Sequence, residues 1–253
     1  MAPTSEKAAF FDVDNTLVRG STLYFLGRGM YQRGFFTKAD ISRFVVANIR
    51  FRMTGTEKKE VIEKFQNAAT DFIGGHAVED IKKIGEEIYD EFVSPKIWQG
   101  TFEIAQSHLD KGEEVWLVTA APQDMANIIA QRLGLTGALG SKARIENGIY
   151  TGSLDGKLLH GAEKAIAIQE LAKAHGFELT ECYSYSDSHN DIPLLQAVGH
   201  PCAINPDAIL RIRALAEGWP IHDFRRARFL NRLLGPMVSR FAAIAAWLTP
   251  RKR

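Results

Sequence analysis

The chain has 253 residues, a mass of 28.2 kDa, 45% hydrophobic residues and a formal net charge of +1. That length and apolar content suit a soluble globular protein with one large domain, or a domain carrying a sizeable insert. They exclude a membrane-spanning chain, because the longest uncharged apolar run near the C-terminus, FAAIAAWL at 241–248, falls far short of the roughly 20 residues a bilayer requires.

The first residues, MAPTSEK, are polar and lead straight into AAFFDV, so no signal peptide is expected. Residues 8–13, AAFFDV, form a short continuous apolar run that reads as a buried parallel strand. Residues 20–95 then show helix-spaced apolar positions with no convincing strand, in LYFLGRGMYQ, ISRFVVANIRFRM, KKEVIEKFQNAATDFI and AVEDIKKIGEEIYDEFV. Breaks at Gly34, Thr54–Thr56 and Gly74–Gly75 separate four helices, an all-helical insert that reads as a lid or cap.

Further along, helical patterns at 98–111, 123–133 and 161–175 alternate with strands EVWLVTA (114–120) and CYSYSD (182–187). That alternation predicts a doubly wound α/β core with a parallel, Rossmann-like sheet, where ligands bind beyond the carboxyl ends of the strands. SKARIENGIYTGSL (141–154) interrupts it as a β-hairpin turning at Asn147–Gly148. The expected division is a core of 1–19 and 96–223, a cap of 20–95 and a basic amphipathic tail of 224–253. Cys182 and Cys202 lack metal-ligand spacing, and an enzyme-sized chain with so few thiols is expected to be cytoplasmic without a disulfide.

All three strands end in polar groups. FFDVDNT places Asp12 and Asp14 two positions apart as β structure gives out, so the two carboxylates can diverge and approach one ligand from different directions. Such a pair repels itself and needs a cation, or a proton, to be tolerated. Taken alone it is more often a solvated turn or a helix N-cap. Thr119 closes the second strand, Asp187 closes the third, Asp191 opens the next helical pattern and Lys164 falls at the start of a helix. All of them converge on the C-terminal edge of one sheet.

In this set and order the chain resembles the haloacid dehalogenase-like superfamily of phosphatases, whose first motif DxDx[TV] is here DVDNT. The strand-ending Thr119 in LVTAAP, Lys164 in GAEK, and Asp187 and Asp191 in SDSHND are similar to the other three motifs. The resemblance implies that Asp12 is a nucleophile forming an aspartyl-phosphate, and that Asp14 is the general acid and then the general base. It implies Mg²⁺ held by the Asp12 carboxylate, the Asp14 main-chain carbonyl and the Asp187 carboxylate, with Asp191 behind them. Lys164, the Thr119 hydroxyl and main-chain N–H groups near Asp12 and Ala120 would then hold the phosphate. Dehalogenases of the same fold generally lack the second acid, so Asp14 favours phosphate-ester hydrolysis.

The helical insert is similar to the branch containing phosphoserine phosphatases, and more closely to a bacterial group with DxTLxxGSSxxFL, here DNTLVRGSTLYFL. The resemblance runs to the NPD and GWPI stretches of residues 198–224. Phosphoserine phosphatases carry an acid after the first motif to meet the substrate's ammonium group, whereas this chain has Arg19, Gly20, Ser21 and Thr22. Ser21 and Thr22 are therefore candidate specificity residues, as are Arg50 and Arg52, whose guanidinium forks suit a carboxylate or phosphate and which could equally lie on a solvated helix face.

The chain's charge is unevenly spread: residues 221–253 hold eight Lys/Arg against one acid, a net +7 that leaves −6 elsewhere. The segment RRARFLNRLLGPMVSRFAAIAAWLTPRKR is open to packing on the domain, to homodimerisation, or to peripheral contact with the inner membrane surface. The expected partner is a small-molecule or lipid phosphate monoester, and no nucleic acid. Rivals from another class are a phospho-accepting domain or a membrane-recruited protein without turnover; the receiver type lacks the insert and the DxDxT spacing.

Overall fold

The structure, a computed structural model, describes residues 6–35 and 73–225. Among these residues the core is a six-stranded parallel sheet built from β1 (Ala8–Phe11), β2 (Glu114–Pro122), β3 (Gly137–Ser141), β6 (Tyr183–Ser186), β7 (His200–Ile204) and β8 (Ile221–His222). The strand order is β3-β2-β1-β6-β7-β8. From central β1 the chain winds outward through β2 and β3, then returns to β6 and winds the other way. The two directions part between β1 and β6, and a crevice opens at such a switch point.

β1 is buried on both faces, which is why AAFF reads as a continuous run and not an alternation. Phe10 and Phe11 are fully buried on opposite sides, each worth roughly 2–3 kcal/mol of apolar burial. Phe11 joins Val115, Leu117, Ala105 of α3 (Gln99–Asp110) and Ile129 of α4 (Gln123–Arg132). Phe10 joins Val118 and Ile168 and Ala172 of α5 (Ala162–His175). Beyond them, α6 (Ile192–Gln196) and α7 (Ala208–Glu217) cover β7 with Leu195, Leu210 and Ala214. Helices on both faces of a parallel sheet form the expected doubly wound fold.

In the stretch 20–95 the described parts contain α1 (Thr22–Gln32) and α2 (Val78–Ile88) and no strand. A π-helical turn (Tyr89–Val93) and a 3₁₀ turn (Ser94–Lys96) prolong α2. The helices meet closely at Gly29, where an added Cβ would lie 2.4 Å from Ile88. Arg33 clips the pair through Glu87 at 2.9 Å and Glu91 at 3.3 Å. The two middle helices expected there, with Arg50 and Arg52, lie outside the described residues.

The hairpin is present as β4 (Ala143–Glu146) and β5 (Ile149–Leu154), with Asn147 and Gly148 both at positive φ as a tight turn requires. It anchors the entry to α2, since Gly75 N–H donates to the Tyr150 carbonyl at 2.8 Å and Val78 N–H to that of Gly148 at 3.0 Å. Tyr150 is buried and donates to Asp124 of α4 at 2.5 Å.

β3, β7 and β8 were not expected. GALGS has two glycines, and Gly137 is needed because a Cβ there would sit 2.5 Å from the Trp116 ring. HPCAI contains Pro201, tolerated because β8 reaches only Ala203 and Ile204. Cys182 and Cys202 are buried free thiols. Phe224 lies against Gly100 of α3, and residues 226–253 are outside the described residues. Among the described residues no helix is long and apolar enough to cross a membrane.

The turn into β7 is sterically tight. A Cβ on Gly199 would stand 1.7 Å from the Thr180 carbonyl oxygen. Gly199→Ala is expected to cost about 1–3 kcal/mol by overpacking; a thermal melt should show Tm lowered by several degrees, and an unchanged Tm would contradict the packing assigned to this turn.

Candidate active site

Asp12 still belongs to the sheet ladder, its N–H donating to the Tyr185 carbonyl at 2.9 Å. The chain then closes a tight loop: Asn15 takes positive φ (59°), and Asn15 N–H donates to the Val18 carbonyl at 2.6 Å. This loop sends the two acids apart. Asp12 is 5% exposed and accepts from Lys164 Nζ at 2.5 Å through Oδ1 and from Thr16 Oγ1 at 3.0 Å through Oδ2. Asp14 is half-buried and turns toward α1, where Oδ1 accepts from Thr22 N–H at 2.9 Å and from the Thr22 hydroxyl at 2.6 Å.

Lys164 sits in the first turn of α5, 3% exposed, and bridges Asp12 to Asp191 at 2.6 Å. Asp191 ends a 3₁₀ turn before α6 and also accepts from Ser186 Oγ at 2.8 Å. Asp187 lies just past β6, with Thr16 Oγ1 3.4 Å from its Oδ1. Thr119 is buried in β2; its Oγ1 accepts from Ala121 N–H at 3.2 Å, which leaves the hydroxyl proton free to donate. A cavity of about 230 Å³ opens onto Asp12, Asp14, Thr119, Ala120, Lys164, Asp187 and Asp191. The structure thus gathers these residues from three strand ends, those of β1, β2 and β6, and one helix.

Asn15, Ser188 and His160 line the same cavity, and sequence reasoning did not single them out. Asn15 and Ser188 lie inside the quoted motifs. His160 stands one residue before the Gly161 N-cap of α5, and that place is its one signal in the sequence. Thr16, the last residue of DVDNT, touches both Asp12 and Asp187. Ser21 and Thr22 part company: Thr22 is buried and holds Asp14, whereas Ser21 caps α1 and lines a separate cleft of about 580 Å³ with Arg19, Tyr24, Arg28 and Lys96.

The charge balance is lopsided, with four carboxylates around one ammonium. Burial works against the charge of Lys164, but Asp12 and Asp191 outweigh it and raise its pKa, so the lysine stays protonated. Burial, assisted by Asp191 and Asp14, pushes Asp12 up despite Lys164, and burial with Asp12 and Asp191 pushes Asp187 to about 8. Burial leads for both acids, and the neighbouring carboxylates add an upward push that Lys164, in ion-pair contact with Asp12 at 2.5 Å, does not cancel. A hard divalent cation between Asp12 and Asp187 would remove it, and oxygen donors suit Mg²⁺. Among the described residues no group of three or more Asp, Glu, His or Cys side chains is placed to hold a metal ion.

Comparison with known proteins bears on what this site belongs to. A family model for haloacid dehalogenase-like hydrolases matches residues 9–196. A Mycobacterium leprae protein named as a hydrolase is 48% identical over 97% of this chain and 82% of its own length. A Mycobacterium tuberculosis protein named a phosphoserine phosphatase is 50% identical over 89% of this chain and 73% of its own. Among solved structures, a Bordetella pertussis protein of unknown function superposes with a TM-score of 0.77 at 25% identity, over 87% of this chain and all of that one. The chain belongs to the haloacid dehalogenase-like hydrolases, as one of their phosphatases.

Proposed function

We propose that this chain is a Mg²⁺-dependent phosphomonoesterase that acts through a phosphorylated Asp12 on a small alcohol phosphate or a lipid phosphate admitted under the helical insert. The observation that carries the reading is the division of labour between the two acids: Asp12 is buried and paired with Lys164, while Asp14 is anchored through one oxygen by Thr22 on the same cavity.

In the first step an Asp12 carboxylate oxygen attacks phosphorus, the bond from phosphorus to the ester oxygen breaks, and that oxygen takes a proton from Asp14. In the second step water attacks phosphorus, Asp14 takes its proton, and the bond from phosphorus to Asp12 breaks to release phosphate. Thr22 occupies Asp14 Oδ1, which leaves Oδ2 to carry the proton. Lys164, the Thr119 hydroxyl and the main chain at Ala120 hold phosphoryl oxygens whose charge grows in the transition state. Asp12, the Asp14 carbonyl and Asp187 would hold Mg²⁺, which when bound supplies positive charge to the phosphoryl group and to the acids. Asp191 keeps Lys164 aligned.

A second reading, hydrolysis of phosphoserine, is favoured by the name of the M. tuberculosis relative. Against it, the first turn of α1 has no acid to meet an ammonium group. The carboxylate lining the neighbouring cleft, Glu91, is engaged by Arg33. A screen of phosphorylated metabolites with Mg²⁺ present should place glycerol-type or lysophospholipid phosphates well above phosphoserine in kcat/KM; the reverse order would establish the second reading.

Asp14→Asn removes the proton donor and leaves the nucleophile. For an alkyl phosphate, whose alkoxide leaves poorly, kcat should fall by about 10²–10⁴. For an aryl phosphate the first step should be nearly spared, so that a burst of phenolate precedes a slow steady state. Equal loss of both phases would count against the acid–base assignment.

A further inference from the structure

The turn Asn205–Pro206–Asp207, which follows β7, contacts both loops that carry the acids of the site. β7 neighbours β6 but not β1, so a turn there would ordinarily have no reach to the β1 loop. Asn205 is nevertheless 2% exposed, and its Nδ2 donates at 3.1 Å to the carbonyl of Asn15, 190 positions earlier in the chain. Its Oδ1 accepts from Phe224 N–H at 2.8 Å. Two residues on, Asp207 N–H donates to the carbonyl of Asp187 at 2.8 Å. Asp207 Oδ2 accepts from both the main-chain N–H and Nδ1 of His189, each at 2.8 Å.

Ordinary structural roles explain part of this. Asp207 Oδ1 caps α7 through Leu210 N–H at 2.8 Å, and the positive φ of Asn205 (49°) suits asparagine. Neither role accounts for the second oxygen of Asp207 reaching His189 or for the amide of Asn205 reaching Asn15. The Asn15–Thr16 peptide that Asn205 holds stands between Asp14 and Thr16, whose hydroxyl faces both Asp12 and Asp187. The Asp207 bonds hold the loop of Asp187 from both sides of Ser188.

We infer that Asn205 and Asp207 are positioning residues of this phosphatase site, a strap from the β7 end that sets the spacing of the β1 and β6 loops. It thereby sets the distance between the Asp12 and Asp187 carboxylates that would share the cation. The inference rests on the metal reading under Proposed function.

Two variants of the full chain test it. Asn205→Gly keeps a residue at ease with positive φ and removes the Asn15 bond, and Asp207→Ser keeps a helix cap and removes the acceptor for His189. Mg²⁺ affinity is read by titration calorimetry, kcat and KM with an aryl phosphate, and folding by thermal melts. The expected result is a 10–100-fold weaker Mg²⁺ affinity and a comparable loss of kcat, with KM changed less than about twofold, since Lys164 and Thr119 are untouched. Unchanged Mg²⁺ affinity and kcat with only a lowered Tm would overturn the strap. If Asn205→Gly fails to fold, Asp207→Ser decides on the same readouts. A wild-type chain that binds no Mg²⁺ would overturn the metal reading and this inference together, whereas tight wild-type binding that persists in the variants overturns the strap alone.

Discussion

The buried ammonium of Lys164, in contact with Asp12 at 2.5 Å and Asp191 at 2.6 Å, is the interaction on which the site depends. Three charges this deeply withdrawn from water are tolerable only if each finds opposite charge and hydrogen bonds, and removing one partner of such a set commonly costs about 3–5 kcal/mol. Ser186 and Thr16 complete the satisfaction of the two acids. One lysine nevertheless faces four carboxylates, and under the proposed function a cation would offset the excess and let the pocket accept the oxygens of a phosphate.

The fold supplies the meeting place. β1 lies at the centre of the sheet with β2 on one side and β6 on the other, and the winding reverses between β1 and β6. Asp12 and Asp14 come from the end of β1, Thr119 from β2, Asp187 and Asp191 from the loop after β6, and Lys164 from the helix that precedes β6. Burial of β1 on both faces gives Asp12, the proposed nucleophile, a well-packed base at the strand's C-terminal end. The α1 helix, by contrast, meets the site where Thr22 holds Asp14, so the proton transfer proposed for Asp14 would be tied to that helix.

Much of this was legible in the sequence because its signals are local. AAFF and EVWLVT are continuous apolar runs that belong to strands covered on both faces, and the helices at 99–110, 123–132 and 162–175 carry clear spacing. The strands that escaped notice have no such signal: GALGS is shaped by the Trp116 ring against Gly137, and HPCAI holds a proline that only the short reach of β8 permits. The four motifs could be read from residue type and order. His160 could not, because a loop histidine acquires meaning only when the turn at Gly161 sets it over the cavity. Likewise DVDNT announces two acids, while Thr16 shows its part only when the β6 loop brings Asp187 within 3.4 Å. Ser21 and Thr22 look equivalent in sequence, and one helical N-terminus separates them into a cap and an anchor for Asp14.

The covalent step proposed at Asp12 can be tested without knowing the physiological substrate. Acid quenching during turnover of an aryl phosphate with Mg²⁺, followed by peptide mass spectrometry, should find a hydroxylamine-labile phosphoryl group on the peptide containing Asp12, absent from Asp12→Asn. Turnover by the wild-type chain with the phosphoryl group on another residue, or undiminished turnover by Asp12→Asn, would contradict it.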